Sequence, residues 1–282
     1  MKDKMNWEET IRFIRTQPEF KFLVEKAYFE ENLPLNVERF RNSEEYVEIL
    51  SKIKQYAPNA KKILDIGSGN GITSISFALE GYEVTTVEPD PSETIGAGAI
   101  RKLKQHYGLE TLTVHEAFAE EINFKDEEFD IVFARQCMHH AYDLQKFVGE
   151  MSRVVKKGGM FFTVRDHVVF NEVDKQWFLE NHPLHKYYGG ENAFTTNQYK
   201  NAISNSNLIL REEIKYYDSV INYFPLPKKD VENKKINIKK RFWFHKLLYF
   251  FPAYKSKLIN IELSEEEKQV PGRMYTYIAT KQ

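Results

Sequence analysis

The chain has a single cysteine, Cys137, among its 282 residues, so neither a disulfide framework nor a cysteine-based zinc site is open to it. One cysteine also suits a reducing compartment. No stretch reaches the ~18 uncharged apolar residues that a membrane-spanning helix needs. The opening "MKDKMNWEETIRF" lacks an apolar core long enough for a signal peptide. A cytoplasmic protein is the expectation. Charge of one sign is also missing: 40 Lys and Arg stand against 41 Asp and Glu, a formal net charge of −1. A dedicated nucleic-acid binder needs surplus cation, so no nucleic-acid partner is expected. What remains is ample core-forming material, 42% hydrophobic residues without a repeat or a low-complexity tract.

Residues 1–59 read as helices. Phe20, Leu23, Val24, Ala27 and Tyr28 share one helical face, and Tyr46, Ile49, Leu50 and Ile53 repeat the spacing behind Ser43, a residue type that caps helix N-termini. From residue 61 the pattern alternates. "KKILDI", "YEVTTVE", "LTVHEA", "FDIVFA" and "GMFFTVR" read as five strands. A helical stripe of Ile72, Ile75, Ala78 and Leu79 follows the first, and a helix from Ser92 to about Tyr107 follows the second. Over 143–155, Leu144, Phe147, Val148, Met151, Val154 and Val155 share a face, with Asp143 capping the start and Gly158 closing the end. Such alternation means βαβ units, a mostly parallel sheet and the α/β class. Thr195-x-x-Gln198 is a capping-box pattern, and "LILREEIKYYDSV" and "RMYTYIATK" read as closing strands. The expected organisation is a helical N-terminal cap (1–59), a core (60–220), an insertion (221–270) and a closing strand (271–282).

The loop in "ILDIGSGNGITS" (63–74) holds three glycines at alternate positions. A Walker loop needs a Lys after its glycines, and none follows here before the second strand. A dinucleotide fingerprint needs a third glycine at position 72, where Ile72 stands. The spacing Asp65-x-Gly67-x-Gly69-x-Gly71 instead resembles the first motif of class I S-adenosylmethionine-dependent methyltransferases. "EEINFKDEEFDIVFA" and "FDIVFARQCMHHAYDLQKFVGEMSRVVKKGGMFFTVRD" resemble later motifs of that family, so the resemblance covers residues 61–166. It implies a Rossmann-like seven-stranded sheet, mostly parallel with its last strand antiparallel, and S-adenosyl-L-methionine as cofactor. The backbone of Gly67, Ser68, Gly69 and Gly71 would lie along the methionine part and ribose. Asp65 would bear on the cationic amino end. Glu88, followed by Pro89 in "TTVEPD", would accept hydrogen bonds from the ribose hydroxyls. The family often has an Asp after strand three to bond the adenine amino group, and this chain has Phe118 and Ala119 there. Phe118 then either packs on the adenine face, with backbone near Ala119 supplying polar contacts, or is a buried core residue.

An SN2 methyl transfer needs chiefly an in-line acceptor lone pair, and an oxygen or nitrogen acceptor must also lose a proton. Candidate bases are His139, His140, Asp166 and His167, at the ends of strands four and five; each also reads as a packing or lid residue. The same four could gather a metal ion, but their spacing matches no particular site, and none is expected. Arg135 either lines the cofactor pocket and orients an anionic acceptor, or forms a surface or intraprotein ion pair. In "NHPLHKYYGGENAFT", His185, Tyr187, Tyr188 and Glu191 are types that stack on and hydrogen-bond a sugar, and the stretch resembles methyltransferases found among bacterial surface-polysaccharide genes; a loop without a ligand role is the alternative. Between Lys228 and Lys257, ten Lys or Arg meet only Asp230 and Glu232, around the aromatic "RFWFHKLLYFFPAY". That segment reads as a lid, a contact with the inner membrane face, or a partner surface. The expected function is methyl transfer to a small polar acceptor, at an oxygen of a sugar or related metabolite. Its rivals are a nicotinamide-dependent oxidoreductase, disfavoured by Ile72, and a non-catalytic S-adenosylmethionine-binding scaffold.

Overall fold

In the computed structural model, residues 4–241 and 252–282 are described. Four helices come first: α1 (Trp7–Arg15), α2 (Lys21–Lys26), α3 (Leu33–Arg41) and α4 (Glu44–Tyr56). Asn6 and Glu9 close a capping box on α1, and the Ser43 side chain accepts from the Tyr46 N–H to start α4. Then strands and helices alternate: β1 (Lys62–Ile66), α5 (Ile72–Leu79), β2 (Glu83–Val87), α6 (Ala97–Tyr107), β3 (Thr113–His115), β4 (Phe129–Arg135), α7 (Leu144–Val154) and β5 (Val155–Val169). After them come α8 (Glu172–Asn181), α9 (His185–Tyr188), β6 (Phe194–Thr195), α10 (Thr196–Ser204), β7 (Leu208–Ile214), α11 (Val220–Tyr223), α12 (Lys228–Arg241), α13 (Pro252–Glu267) and β8 (Met274–Lys281).

The strand order is β3-β2-β1-β4-β5-β8-β7. Neighbours from β3 to β5 are parallel, whereas β8 runs antiparallel to both β5 and β7. This is the α/β, mostly parallel sheet that the alternation predicts, in the Rossmann-like arrangement that the resemblance implies. One strand exceeds the expected seven: the two-residue β6 pairs with the far end of β5. Chain order reverses between β1 and β4, so a crevice opens beyond their carboxyl ends. Ile63, Ile131, Phe133 and Phe162 bury one sheet face under α3 to α6, and Leu64, Val132 and Phe161 bury the other under α7 and α10.

Two boundaries depart from expectation. α7 ends at Val154, one residue before the expected 155, because Val155 already pairs with Phe129; Gly158, expected to close the helix, has φ +71° and lies inside β5 where the register shifts. α6 begins at Ala97 rather than Ser92. The Asp90 side chain accepts from the Ser92 N–H and its carbonyl from the Ala97 N–H, holding the intervening residues as a loop. Pro252 stands first in α13, where a missing N–H costs nothing. Val231, Ile238, Ile259 and Leu263 pack α12 and α13 on Tyr217 and Tyr223. Residues 242–251, most of the aromatic stretch, lie outside the described residues. Among the described residues no helix is long and apolar enough to cross a membrane.

Candidate active site

A cavity of about 870 Å³ occupies the crevice beyond β1, β2 and β4, within the range of small-ligand pockets. Its floor is the glycine loop. Gly67, Gly69 and Gly71 all hold positive φ, at +62°, +53° and +83°, a conformation that side chains rarely adopt. They are not equivalent. Gly67 and Gly69 line the cavity, as Ser68 does, while Gly71 starts α5 and abuts Ile100. A side chain at Gly67 would overlap the Cys137 sulfur. Gly67→Ala should therefore destabilise the fold by about 1–3 kcal/mol through overpacking and strain, visible as a lowered thermal unfolding midpoint.

Glu88 leaves the end of β2 and faces the loop. Its Oε2 accepts from the Gly69 N–H at 2.7 Å and its Oε1 from the Asp90 N–H at 2.9 Å. Burial pushes this carboxyl up to about 7, against the pull of those two hydrogen bonds. Asp65 behaves differently from the expected contact. It is wholly buried beneath the loop, does not line the cavity, and its Oδ2 accepts from the Thr73 and Ser74 hydroxyls. Its Oδ1 has no partner, and burial raises the group to about 6. Asp65 braces the loop from below.

Pro89, Phe118 and Ala119 form one lip of the cavity. Phe118 is 57% exposed and meets the 89%-exposed Tyr142 edge-on at 6.2 Å, which rules out the buried-core alternative. Arg135 lines the cavity, yet its guanidinium is engaged elsewhere: Nε bonds Glu45 Oε1 at 2.7 Å and Nη2 bonds Oε2 at 3.2 Å. The internal ion pair expected as its alternative is the one that forms.

The far end is rich in histidine. His139, His140, His167 and His182 line it together with Glu191. Asp166 does not: it is fully buried, and its Oδ1 accepts from the His139 N–H at 3.1 Å and from His139 Nδ1 at 3.0 Å. A bulge between Thr163 and Asp166, with Arg165 at φ +63°, turns that carboxylate toward His139. Asp166 therefore orients an imidazole rather than reaching into the cavity. Burial and the neighbouring imidazoles push His139 well below the usual histidine range, so its ring is neutral with the proton on Nδ1. His167 donates from Nδ1 to the Gly272 carbonyl at 2.7 Å, and burial lowers it to about 4. His140, exposed, donates from Nδ1 to the Gly190 carbonyl at 3.1 Å.

Of the sugar-binding candidates only Tyr188 and Glu191 line the cavity, joined by a hydrogen bond. Tyr187 packs on Phe13 and Phe20, and His185 lies outside the lining. Among the described residues the segment expected as a lid, 221–270, contributes no lining residue. The roof comes instead from the N-terminal helices, through Trp7, Leu23, Ala27 and Phe29, with Trp7 against Tyr188 at 4.7 Å. Sequence reading missed these, although the apolar face holding Leu23 and Ala27 was visible.

Residues 64–163 match the family model described as "Methyltransferase domain". Over 113 residues the chain is 34% identical to YcgJ, an uncharacterized methyltransferase of Bacillus subtilis, the match covering 38% of this chain and 40% of that protein. The crystal structure of YcgJ superposes with a TM-score of 0.55 at 19% identity, over 84% of this chain and 99% of that one. The ubiquinone biosynthesis O-methyltransferase of Klebsiella pneumoniae is 30% identical over 122 residues, 42% of this chain and 46% of its own length. The geranyl diphosphate C-methyltransferase of Streptomyces coelicolor, solved with Mg²⁺, geranyl diphosphate and S-adenosyl-L-homocysteine, shares the fold at TM-score 0.57 and 12% identity, over 92% of this chain and 87% of that one. The matched stretch thus spans less than half the length of the two curated relatives. It coincides with the strands and loops that floor the cavity, so the stretch of this chain that is similar to a methyltransferase domain, residues 64–163, is the stretch that builds the floor of the site.

Proposed function

We propose that the chain is an enzyme that moves a methyl group from S-adenosylmethionine to a small polar acceptor, at an oxygen of a sugar or related metabolite. The observation that carries this reading is Glu88 at the carboxyl end of β2, gripping the glycine loop through the Gly69 N–H while lining the same cavity. Each of its oxygens accepts one backbone hydrogen bond and keeps a lone pair for a vicinal diol. The loop leaves backbone bare at Gly67 and Gly69, and the exposed Phe118–Tyr142 pair offers faces for a purine. Asp65, with its unpartnered Oδ1, holds the loop in shape. These residues fit the cofactor. When bound, S-adenosylmethionine supplies an electrophilic methyl on a sulfonium.

The chain's own contribution is then position and proton transfer. The histidine end of the cavity faces solvent through His140, whose Nδ1–H is held by the Gly190 carbonyl and whose Nε2 is left to accept a proton. The Asp166 carboxylate fixes His139 in one tautomer beside it, the two rings 4.1 Å apart. Tyr188 and Glu191 supply the polar and aromatic surface suited to a polyol. Among the described residues of 228–257 none lines the cavity, and the segment is a candidate partner or membrane contact.

Radiolabel transfer from methyl-labelled S-adenosylmethionine to members of a metabolite panel tests the activity; binding without release of S-adenosylhomocysteine across the panel would favour the scaffold reading instead. With an acceptor in hand, His140→Ala should lower turnover by roughly 10²–10⁴-fold and leave cofactor affinity unchanged. Full turnover in that variant puts the base elsewhere.

A further inference from the structure

We infer that His139, His167 and Glu191 form a binding site for a divalent transition-metal ion at the acceptor end of the cavity. One ligating atom from each lies within 4.8 Å of those of the other two. Proximity alone would not carry this; the way the three residues are wired does. His139 gives its Nδ1–H to the Asp166 carboxylate, and His167 gives its Nδ1–H to the Gly272 carbonyl. Both rings therefore present Nε2 with a bare lone pair, held in the orientation that carboxylate and carbonyl partners impose on metal-ligating histidines.

Glu191 is arranged to match. Its Oε1 accepts from the Tyr188 hydroxyl and faces His182 Nε2 at 3.5 Å. His182 Nδ1 accepts the His185 N–H at 3.2 Å, which puts the His182 proton on Nε2, toward Glu191. The other oxygen, Oε2, is buried and has no hydrogen-bond partner, and it lies 3.7 Å from His139 Nε2. Two lone pairs thus face each other in a buried place with no proton between them. A cation satisfies both at once. Two imidazoles and one carboxylate are a donor set for Zn²⁺, Fe²⁺, Mn²⁺ or Co²⁺ rather than for Ca²⁺ or Mg²⁺. Ligands about 2.1 Å from one ion stand roughly 3 Å apart, so the trio draws together slightly on binding.

Three protein ligands leave coordination positions open toward the cavity, where an acceptor oxygen can bind and lose its proton more easily. That consequence rests on the methyl-transfer reading; metal binding itself does not. His140, outside the trio, stays free to receive the proton.

The test uses Co²⁺ added to the full chain after treatment with a chelator, in the absence of S-adenosylmethionine. One equivalent should bind with visible d–d absorption. Glu191→Gln and His167→Gln should each weaken binding at least 10-fold, and His182→Gln, one step removed, by about 10-fold. The exposed His106→Gln should change nothing. A crystal soaked in Co²⁺ needs no variant: anomalous density between His139, His167 and Glu191 supports the site. Density elsewhere, no stoichiometric binding, or binding that Glu191→Gln and His167→Gln both leave intact would overturn it. Failure here leaves methyl transfer untouched, and failure of methyl transfer in the metabolite panel leaves the Co²⁺ result standing.

Discussion

Glu88→Ala should weaken S-adenosylmethionine binding by roughly 10²–10⁴-fold, the worth of two hydrogen bonds to a charged acceptor. Two losses combine. On the proposed reading the ribose diol loses its carboxylate, and the Gly69 and Asp90 N–H groups lose the acceptor that anchors the loop and the start of the 90–96 turn. Glu88→Gln keeps the shape and one acceptor oxygen, so its loss should be intermediate. Titration calorimetry measures both, and an unchanged affinity in Glu88→Ala removes the residue from the site. A pH dependence follows from the same group. Burial raises its carboxyl to about 7 in the free protein, and a diol donating both hydroxyls to it, as proposed, would select the ionised form. Affinity should hold above pH ~7 and fall by up to about tenfold per unit below it. Stability of the cofactor-free protein moves the opposite way. The folded value lies above the ordinary value of 4.5, so this group's contribution is full below that value and lost as pH rises through about 7. Saturating cofactor should therefore raise the unfolding midpoint more in mildly alkaline than in mildly acidic buffer. A midpoint shift independent of pH would contradict the assignment.

Glu45→Gln should destabilise the protein by about 3–5 kcal/mol, the cost of leaving a buried guanidinium without its partner. Glu45 sits on α4, fully buried, and holds Arg135 at the end of β4; Arg165 Nε lies 3.8 Å from the same carboxylate and has no hydrogen-bond partner. Neither guanidinium can escape by losing its proton. The Arg135 guanidinium also lies over the Tyr28 and Phe40 rings, at 5.7 and 5.5 Å, so the pair ties the N-terminal helices to the strand that carries the histidine loop. Denaturant melts should show the loss, and Glu45→Gln combined with Arg135→Met should recover part of it, because the Arg135 charge goes with its partner while Arg165 still loses the carboxylate. A double variant as unstable as the single one would mean that packing, not charge, sets the cost.

The alternation of strand and helix was legible because burial on both faces of a parallel strand writes an apolar run, and a helix covering it writes a 3.6-residue stripe. Caps were legible for a similar reason. Ser43, Asp143 and the Thr195–Gln198 box bond backbone within three residues of themselves, so the signal and its partner share one short window. The glycine loop was legible because positive φ at three alternate positions restricts residue type directly. The ends of α6 and α7 were not, since Asp90 and the pairing of Val155 decided them from outside the helices.

Sequence alone, then, determined the α/β sheet, the loop at its switch point and the acid at the end of β2, all of which rest on backbone conformation and local periodicity. Only the tertiary structure decided which side chains share a cavity. Asp65 lies next to the end of β1 and Asp166 within the last stretch of β5, yet one turns under the loop and the other, past a bulge, turns to His139. Glu45 meets Arg135 across 90 positions, and Trp7 meets Tyr188 across the mouth of the pocket. Glu191 joins His139 and His167 from a separate loop. Such meetings depend on where a strand bulges and which elements pack over its end, and residue spacing along the chain carries no record of either.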